Sequence, residues 1–364
     1  MQRERRVQVV LLFLMCGAGC GGSGTHLEDP AVCKAAWQPL TAPQPFLPVA
    51  GLVTQGQTVY YSTFSPSTLV AQPTDGSAPT TLASVGTAEL WIEGDHLLFT
   101  GGDLANQIYS LPLTGGTPQL VLDGGAGRTS PNVAMAHAFT AGDFYWIEQD
   151  PTARGLANST VWDQARSGGM PIQIGATSFT DPSGFDYPGI AIGLSVSTLV
   201  IGSAFGQSAT VPVGGGTAAS LLAMPTASAE MNVESDLAGV DVLGAYWSVP
   251  GVGDQPGALI LSPADGGPAK PFFASVPGNG LVRRIWPTGD GDWVMTSLEI
   301  YSDGIDHMTL WLVDAQGKAT RLGCSPSAAS NSWIEKGVAV APDAVYVPAE
   351  NLSADTWEID RIAR

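Results

Sequence analysis

Apolar residues along this chain gather into short dense runs separated by polar, turn-rich stretches, and one kind of run keeps returning. VYYS (Val59–Ser62), LLFT (Leu97–Thr100), FYWI (Phe144–Ile147), LVIG (Leu199–Gly202), AYWS (Ala245–Ser248), WVMT (Trp293–Thr296) and VYVP (Val345–Pro348) are mostly aromatic and usually follow a Gly/Asp/Ser-rich turn. Aliphatic and aromatic runs of this length predict strands. Their starts lie roughly 38 to 55 residues apart, a period that marks a solenoid, a propeller or an array. The clearest unit has four alternating segments, AELWIEG (Ala88–Gly94), LLFTGG (Leu97–Gly102), QIYSLPLTGG (Gln107–Gly116) and TPQLVLDG (Thr117–Gly124). Its last turn recurs as Thr74-Asp75-Gly76, Ser167-Gly168-Gly169, Gly214-Gly215-Gly216, Asp265-Gly266-Gly267 and Ala315-Gln316-Gly317. Glycine at such sites supplies the positive φ of a tight hairpin.

Seven units follow, near 49–84, 88–124, 133–176, 187–223, 236–275, 281–324 and 333–364. The seventh stops after its third segment, TWEIDRIA (Thr356–Ala363), while WQPLTA (Trp37–Ala42) carries the fourth-strand pattern, with Leu40 standing where PTTLAS (Pro79–Ser84) has Leu82. The expectation is all-β: a seven-bladed β-propeller of four-stranded antiparallel blades, its ring closed by an N-terminal strand so that no raw edge is left. At 364 residues with Gly 45, Pro 27 and 13% charged residues, the composition suits many short strands in one domain, and the 44% hydrophobic content is too high for a disordered chain.

The N-terminus reads as an address. Arg3, Arg5 and Arg6 precede the short apolar stretch Val7–Met15, and Gly17-Ala18-Gly19 leads to Cys20 and then Gly21-Gly22-Ser23-Gly24. The apolar stretch is too short to span a bilayer. This arrangement resembles a bacterial lipoprotein signal, in which the cysteine after the cleavage point is acylated; Gly17 stands where that pattern prefers Leu. The resemblance implies a signal peptide over 1–19, a lipidated flexible tether over 20–32 and a single propeller domain over 33–364. The implied site is the bacterial cell envelope, at the outer membrane. Loss of the signal leaves a chain still more acidic than the −18 of the whole sequence. Nucleic acid requires a Lys/Arg-rich face, so it is excluded as a partner. The membrane would be held through the acyl anchor alone. Of the remaining cysteines, Cys16 leaves with the signal, and Cys33 and Cys324 form an even pair available for a disulfide in an oxidising compartment.

In a four-stranded blade the first-to-second and third-to-fourth turns share one rim, and the other loops and the blade crossings share the opposite one. The second set is long and acidic here, and long loops on a rigid scaffold are where binding concentrates. Candidate loop-face residues are Asp150, Asp181, Asp186, Glu234, Asp236, Asp303 and Asp306, which would favour a cation or another envelope protein of basic character. Candidate channel-lining residues on the innermost strands are Glu93, His137, Arg283, Arg284 and Glu335. The four histidines are isolated and form no His-x-x-x-His pair, so no zinc motif is present. Asp290-Gly291-Asp292 and Asp303-Gly304-Ile305-Asp306 lack the ligand count of an EF-hand loop, and Ca2+ is considered only in a looser site. No other cofactor is indicated.

The aromatic pattern, with Tyr145-Trp146 and Tyr246-Trp247 nearest to it, resembles the YWTD-like and TolB-like propeller repeats and the glycine-rich propeller lipoproteins of myxobacteria. Its motifs are structural and imply a scaffold. The functional expectation is a monomeric, lipid-anchored, non-catalytic binding scaffold acting through its long-loop face. The alternative is a propeller hydrolase or lactonase with a divalent cation at the channel mouth, where His137 and Glu93 would meet.

Overall fold

The computed structural model describes residues 37–45, 49–64, 66–87, 89–102, 105–128, 133–149, 159–177, 179–180, 186–187, 189–194, 197–203, 208–221, 236–241, 243–249, 257–273, 281–300, 306–325, 334, 337–351 and 356–364. They build seven antiparallel sheets, the blades of a β-propeller. Blade one opens with Val49–Gln55 and ends with Thr80–Ala83; blade two opens with Leu90–Glu93 and ends with Gln119–Asp123; blade three opens with Val133–Phe139 and ends with Ile172–Thr177. Blades four, five and six open with Gly189–Leu194, Asp236–Asp241 and Leu281–Pro287 and end with Ala219–Leu221, Lys270–Phe273 and Ala319–Cys324. Blade seven holds Ala339–Val340, Ala344–Asn351 and Thr356–Ala363. First strands of neighbouring blades lie against one another, which makes them the inner wall of the ring.

Every recurring run is a second strand. Such a strand has a hydrogen-bonded neighbour on each side and a blade packed on each face, so consecutive side chains are all buried and the alternation of a half-wet strand disappears. Val59, Leu97, Trp146, Ile147, Leu199, Val200, Ile201, Val294 and Val345 are wholly inaccessible. Where blades approach closely, glycine is required. A Cβ on Gly202 would stand 2.2 Å from Leu237 Cδ2, and one on Gly193 would stand 2.4 Å from Val240 Cγ1. The glycine that ends the LVIG run therefore admits the inner strand of blade five. The third-to-fourth turns have positive φ at Gly76, Gly168, Gly215, Gly266 and Gly317, as the hairpin reading requires.

Two features were not legible beforehand. The pairing of first and second strands shifts register in blades one, three, four, five and six, between Ala50/Leu52, Ala134/Ala136, Gly189/Ala191, Leu237/Gly239 and Val282/Arg284. Such bulges sharpen the local twist near the axis. The crossing from blade three to blade four, read as a plain loop, carries a short hairpin of Phe179–Thr180 with Asp186–Tyr187. Phe179 is buried with Tyr145, Ile147, Val161 and Leu199 and fills the junction of the two blades.

Ring closure follows the expected route. Gln38 and Pro39 pair antiparallel with Arg361 and Asp360, and Gln44 pairs with Trp357. Trp37, 5% exposed, packs against Leu310 and Leu322 of blade six and donates its indole N–H to the Leu322 carbonyl at 3.1 Å. Leu40 packs with Leu52, Val59 and Val70 of blade one. One short segment thus joins three blades.

Charges between blades are of two kinds. Toward blade two, Glu148 is fully buried, makes a bidentate pair with Arg128 and accepts the Trp146 indole N–H at 2.8 Å, while the Arg128 guanidinium lies 3.9 Å over the Trp162 ring. A buried carboxylate tolerates desolvation only with partners of this quality. Toward blade four, Asp163 faces Asp143 and buried Tyr145, and its Oδ1 is buried with no hydrogen-bond partner among the described residues. Burial, and then the Asp143 charge, push Asp163 from 3.8 to about 6. Burial, and then the charges of Asp163 and Asp143, raise Tyr145 to about 12.

Two outcomes are expected. Trp37→Ala costs about 3–5 kcal/mol in urea unfolding, the range for deleting a buried large aromatic, whereas exposed Ile172→Ala changes stability by less than about 0.5 kcal/mol; similar losses for both would remove the closing role of Trp37. For Asp163 the folded state holds its proton up to about 6 and the unfolded state only to 3.8. Stability is therefore fully present below the lower value and declines as pH rises through this window. Asp163→Asn should abolish that decline and raise the melting temperature at neutral pH. Parallel melting profiles for the two proteins across the window would count against the assignment.

Candidate functional site

The inner wall carries the polar side chains nearest the axis of the ring. His137, on the first strand of blade three, presents Nδ1 to Glu89 Oε2 at 3.0 Å and packs edge-on against Trp91 with ring centroids 5.8 Å apart. Its side chain is 1% exposed, and Nε2 is buried with no partner among the described residues. A general base must come within hydrogen-bond reach of its substrate, and in this arrangement neither nitrogen is open to a solute. The carboxylate that meets His137 is Glu89 rather than Glu93. The two glutamates bracket a four-residue strand, Leu90–Glu93, and so sit roughly 13 Å apart at the usual rise per residue.

Glu93 belongs to the tight-turn rim. Its Oε2 pairs with Arg166 Nη1 at 2.5 Å, and the guanidinium stacks over Phe144 at 4.4 Å and Phe139 at 5.3 Å. This pair borders a cleft of about 270 Å3 between blades two and three that His96, Leu98, Ser110 and Val121 also line. Arg284 donates to the Leu237 carbonyl of blade five at 3.0 Å and to the Arg283 carbonyl at 3.3 Å. Arg283 and Arg284 are half-buried, and Arg283 is the extra residue of the bulge between Val282 and Arg284. Glu335 lies outside the described residues.

The opposite rim is set by register. Asp236 opens the first strand of blade five across from Ser248, and Asp306 opens the third strand of blade six across from Ile300. Both positions mark strand ends that lead into connections of the long-loop rim. Asp186 lies in the hairpin of the blade-three-to-four crossing, opposite Thr180. Asp150, Asp181, Glu234 and Asp303 lie outside the described residues, as do Cys20 and Cys33. Cys324 is fully buried and disulfide-bonded.

The looser cation site considered at Asp290-Gly291-Asp292 has a protein cation beside it. Arg364 Nη2 lies 2.9 Å from Asp290 Oδ2 and 3.8 Å from Asp292 Oδ2. The Thr288 hydroxyl, and then Arg364, hold the Asp290 carboxyl down to about 2. Among the described residues no three of His, Cys, Asp and Glu form a metal-ligand set, and no helix is long and apolar enough to cross a membrane. The residues that sequence reasoning passed over are Glu89 and Arg166, which meet their partners only across a blade boundary. Their local signal was nothing more than a charge beside a turn.

No family model and no curated protein matches the chain. Solved structures do. An oligogalacturonate lyase from Vibrio parahaemolyticus superposes with a TM-score of 0.60 at 10% identity, over 89% of this chain and 92% of the lyase. The computationally designed Ika8 protein superposes with a TM-score of 0.52 at 12% identity, over 90% of this chain and 100% of the design. A chain of the mitotic checkpoint complex reaches 0.50 at 12% identity, over 89% and 94%. A lyase, a design and a checkpoint component share no activity, and a fold shared at such identity carries no function with it. The likeness to the three is one of fold alone, and it extends over most of this chain's seven-bladed β-propeller.

Proposed function

We propose that the protein is a lipid-anchored envelope protein whose propeller serves as a non-catalytic binding scaffold and offers its long-loop rim to a partner. The observation that carries this reading is the use made of the interior charges. His137 is held by Glu89, Glu93 by Arg166, and Arg284 by the backbone of the neighbouring blade. The polar side chains best placed for channel chemistry brace one blade against the next. Connection length supports the same rim: 150–158, 222–235, 250–257 and 325–338 all leave it, while the opposite rim turns through segments as short as 56–57 and 94–95.

The partner is a basic envelope protein or a cation, Ca2+ included, because the rim is acidic and the chain carries a charge of −18. Cys20 carries the lipid, the protein is a monomer at the outer membrane, and Cys33 is the partner of Cys324, the other two cysteines being taken by the signal and the anchor. Two measurements check this. Cys20→Ser moves the protein from the membrane to the soluble fraction, and retention in the membrane would sink the anchor. Crosslinking of the anchored protein in its native envelope yields a discrete adduct that weakens in the Asp236→Asn, Asp306→Asn double variant. Recovery of bulk neighbours alone, in proportion to their abundance, would overturn the scaffold reading.

A further inference from the structure

Where the N-terminal segment seals the ring, a cleft of about 240 Å3 opens between blades seven and one. Trp357 and Ile359 lie on one face of their strand by alternation, and Ile359 packs with Tyr61 and Val70 of blade one. Trp357 is thereby carried to the same side, where it is half-buried and forms one wall; its cross-strand partner Gln44 lies beside it. Tyr61, Thr63 and Thr68 of blade one form the facing wall, and Thr41, Thr81 and Glu358 also border the cleft.

Apart from Glu358 the polar lining residues are uncharged, and several of their groups retain hydrogen-bonding capacity. Thr41 Oγ1 accepts from the Ile359 amide at 2.8 Å, which leaves its own O–H to donate. Gln44 Nε2 donates to the Ala42 carbonyl at 3.3 Å, leaving its amide oxygen. Thr63 donates to the Pro66 carbonyl and accepts from Thr68 at 2.8 Å, so these two hydroxyls offer the cleft acceptor lone pairs. Tyr61 is 8% exposed, and its hydroxyl, which is not among the buried polar atoms lacking a partner, is open to the cleft. Burial pushes Tyr61 up to about 12, and a hydrogen bond made in such surroundings is stronger than one made in water.

We propose that this cleft binds a neutral hexopyranose, either free or as the terminal residue of a glycan. A pyranose presents a C–H face that suits the flat surface of Trp357, and its hydroxyls both donate and accept. The Tyr, Thr and Gln groups match that dual character, whereas an anionic ligand would find no positive charge on these walls and would meet Glu358 at their border. An aromatic wall beside a few convergent polar groups is the combination by which clefts hold small ligands. The proposal uses none of the rim carboxylates and stands or falls separately from the scaffold reading.

The test uses full-length protein in a detergent without a sugar headgroup. Saturation-transfer NMR and titration calorimetry are run with glucose, galactose, mannose and N-acetylglucosamine at about 10 mM, above a millimolar Kd. Parallel arms use their methyl glycosides and a linear tetrasaccharide of each. At least one probe binds; preference for the glycoside arms identifies a glycan terminus, and equal binding of the free sugar identifies the monosaccharide. Tyr61→Phe keeps the ring and weakens binding about five- to tenfold, the loss of one hydrogen bond. Trp357→Ala removes binding, and Ile172→Ala on the outside of blade three leaves it unchanged. Absence of binding to every probe by the folded wild-type protein would overturn the proposal. So would equal affinity in the Tyr61→Phe and Trp357→Ala variants.

Discussion

The structure depends on how the ring is sealed. Each blade buries both faces against its neighbours, so a propeller is stable only when the last blade is as complete as the rest; otherwise an open edge and two apolar faces meet water. Pairing of Gln38–Pro39 with Asp360 and Arg361 supplies the missing strand. The energetic weight lies in the side chains beside that pairing, with Trp37 set into blade six and Leu40 into blade one. Arg364 adds a second tie, reaching Asp290 in the first turn of blade six. Asp290 is 55% exposed, so this tie is worth little alone. The indole does more, because its polar N–H and its apolar rings are both satisfied in one buried place.

The same geometry explains why the recurring runs stood out. Their density follows from a position in the middle of a sheet that is itself in the middle of a stack. Trp146, Trp247, Tyr145, Tyr246 and Tyr346 are among the largest wholly buried side chains, and aromatic area of that size dominates packing between blades. Gly202 and Gly193 record the reverse constraint, in which the neighbouring blade comes so near that no side chain fits. The large side chains and the bare glycines answer to one constraint, the distance between stacked sheets.

The candidate sites were legible to a smaller degree, and the reason is specific. His137 and Glu93 stood out as a base and an acid on adjacent inner strands, but the carboxylate that meets His137 is Glu89, four positions earlier. Sequence shows that both glutamates flank one strand; which end lies level with His137 depends on the relative height of two blades. Tyr61 was read as one letter of a structural run, correctly, since its ring is core. Its hydroxyl gains significance only from the walls that Gln44 and Trp357 set opposite, both brought there by ring closure. Arg166 enters a hairpin turn, and only the packing of one blade on the next sets it over Phe144 and against Glu93.

By itself the sequence determined the number of blades, the identity of their strands, the tightness of one rim and the segment that closes the ring. Those features rest on interactions within a few residues: a glycine tolerating positive φ, or side chains alternating along one strand. Tertiary structure alone decided the bulges of the inner strands, the partners of the buried charges and the cleft at the seam. Each of these needs groups far apart in sequence to arrive at the same height and angle. Trp37 and the Leu322 carbonyl, separated by 285 positions, meet because every blade between them adds its increment of rotation, and no local pattern encodes that sum.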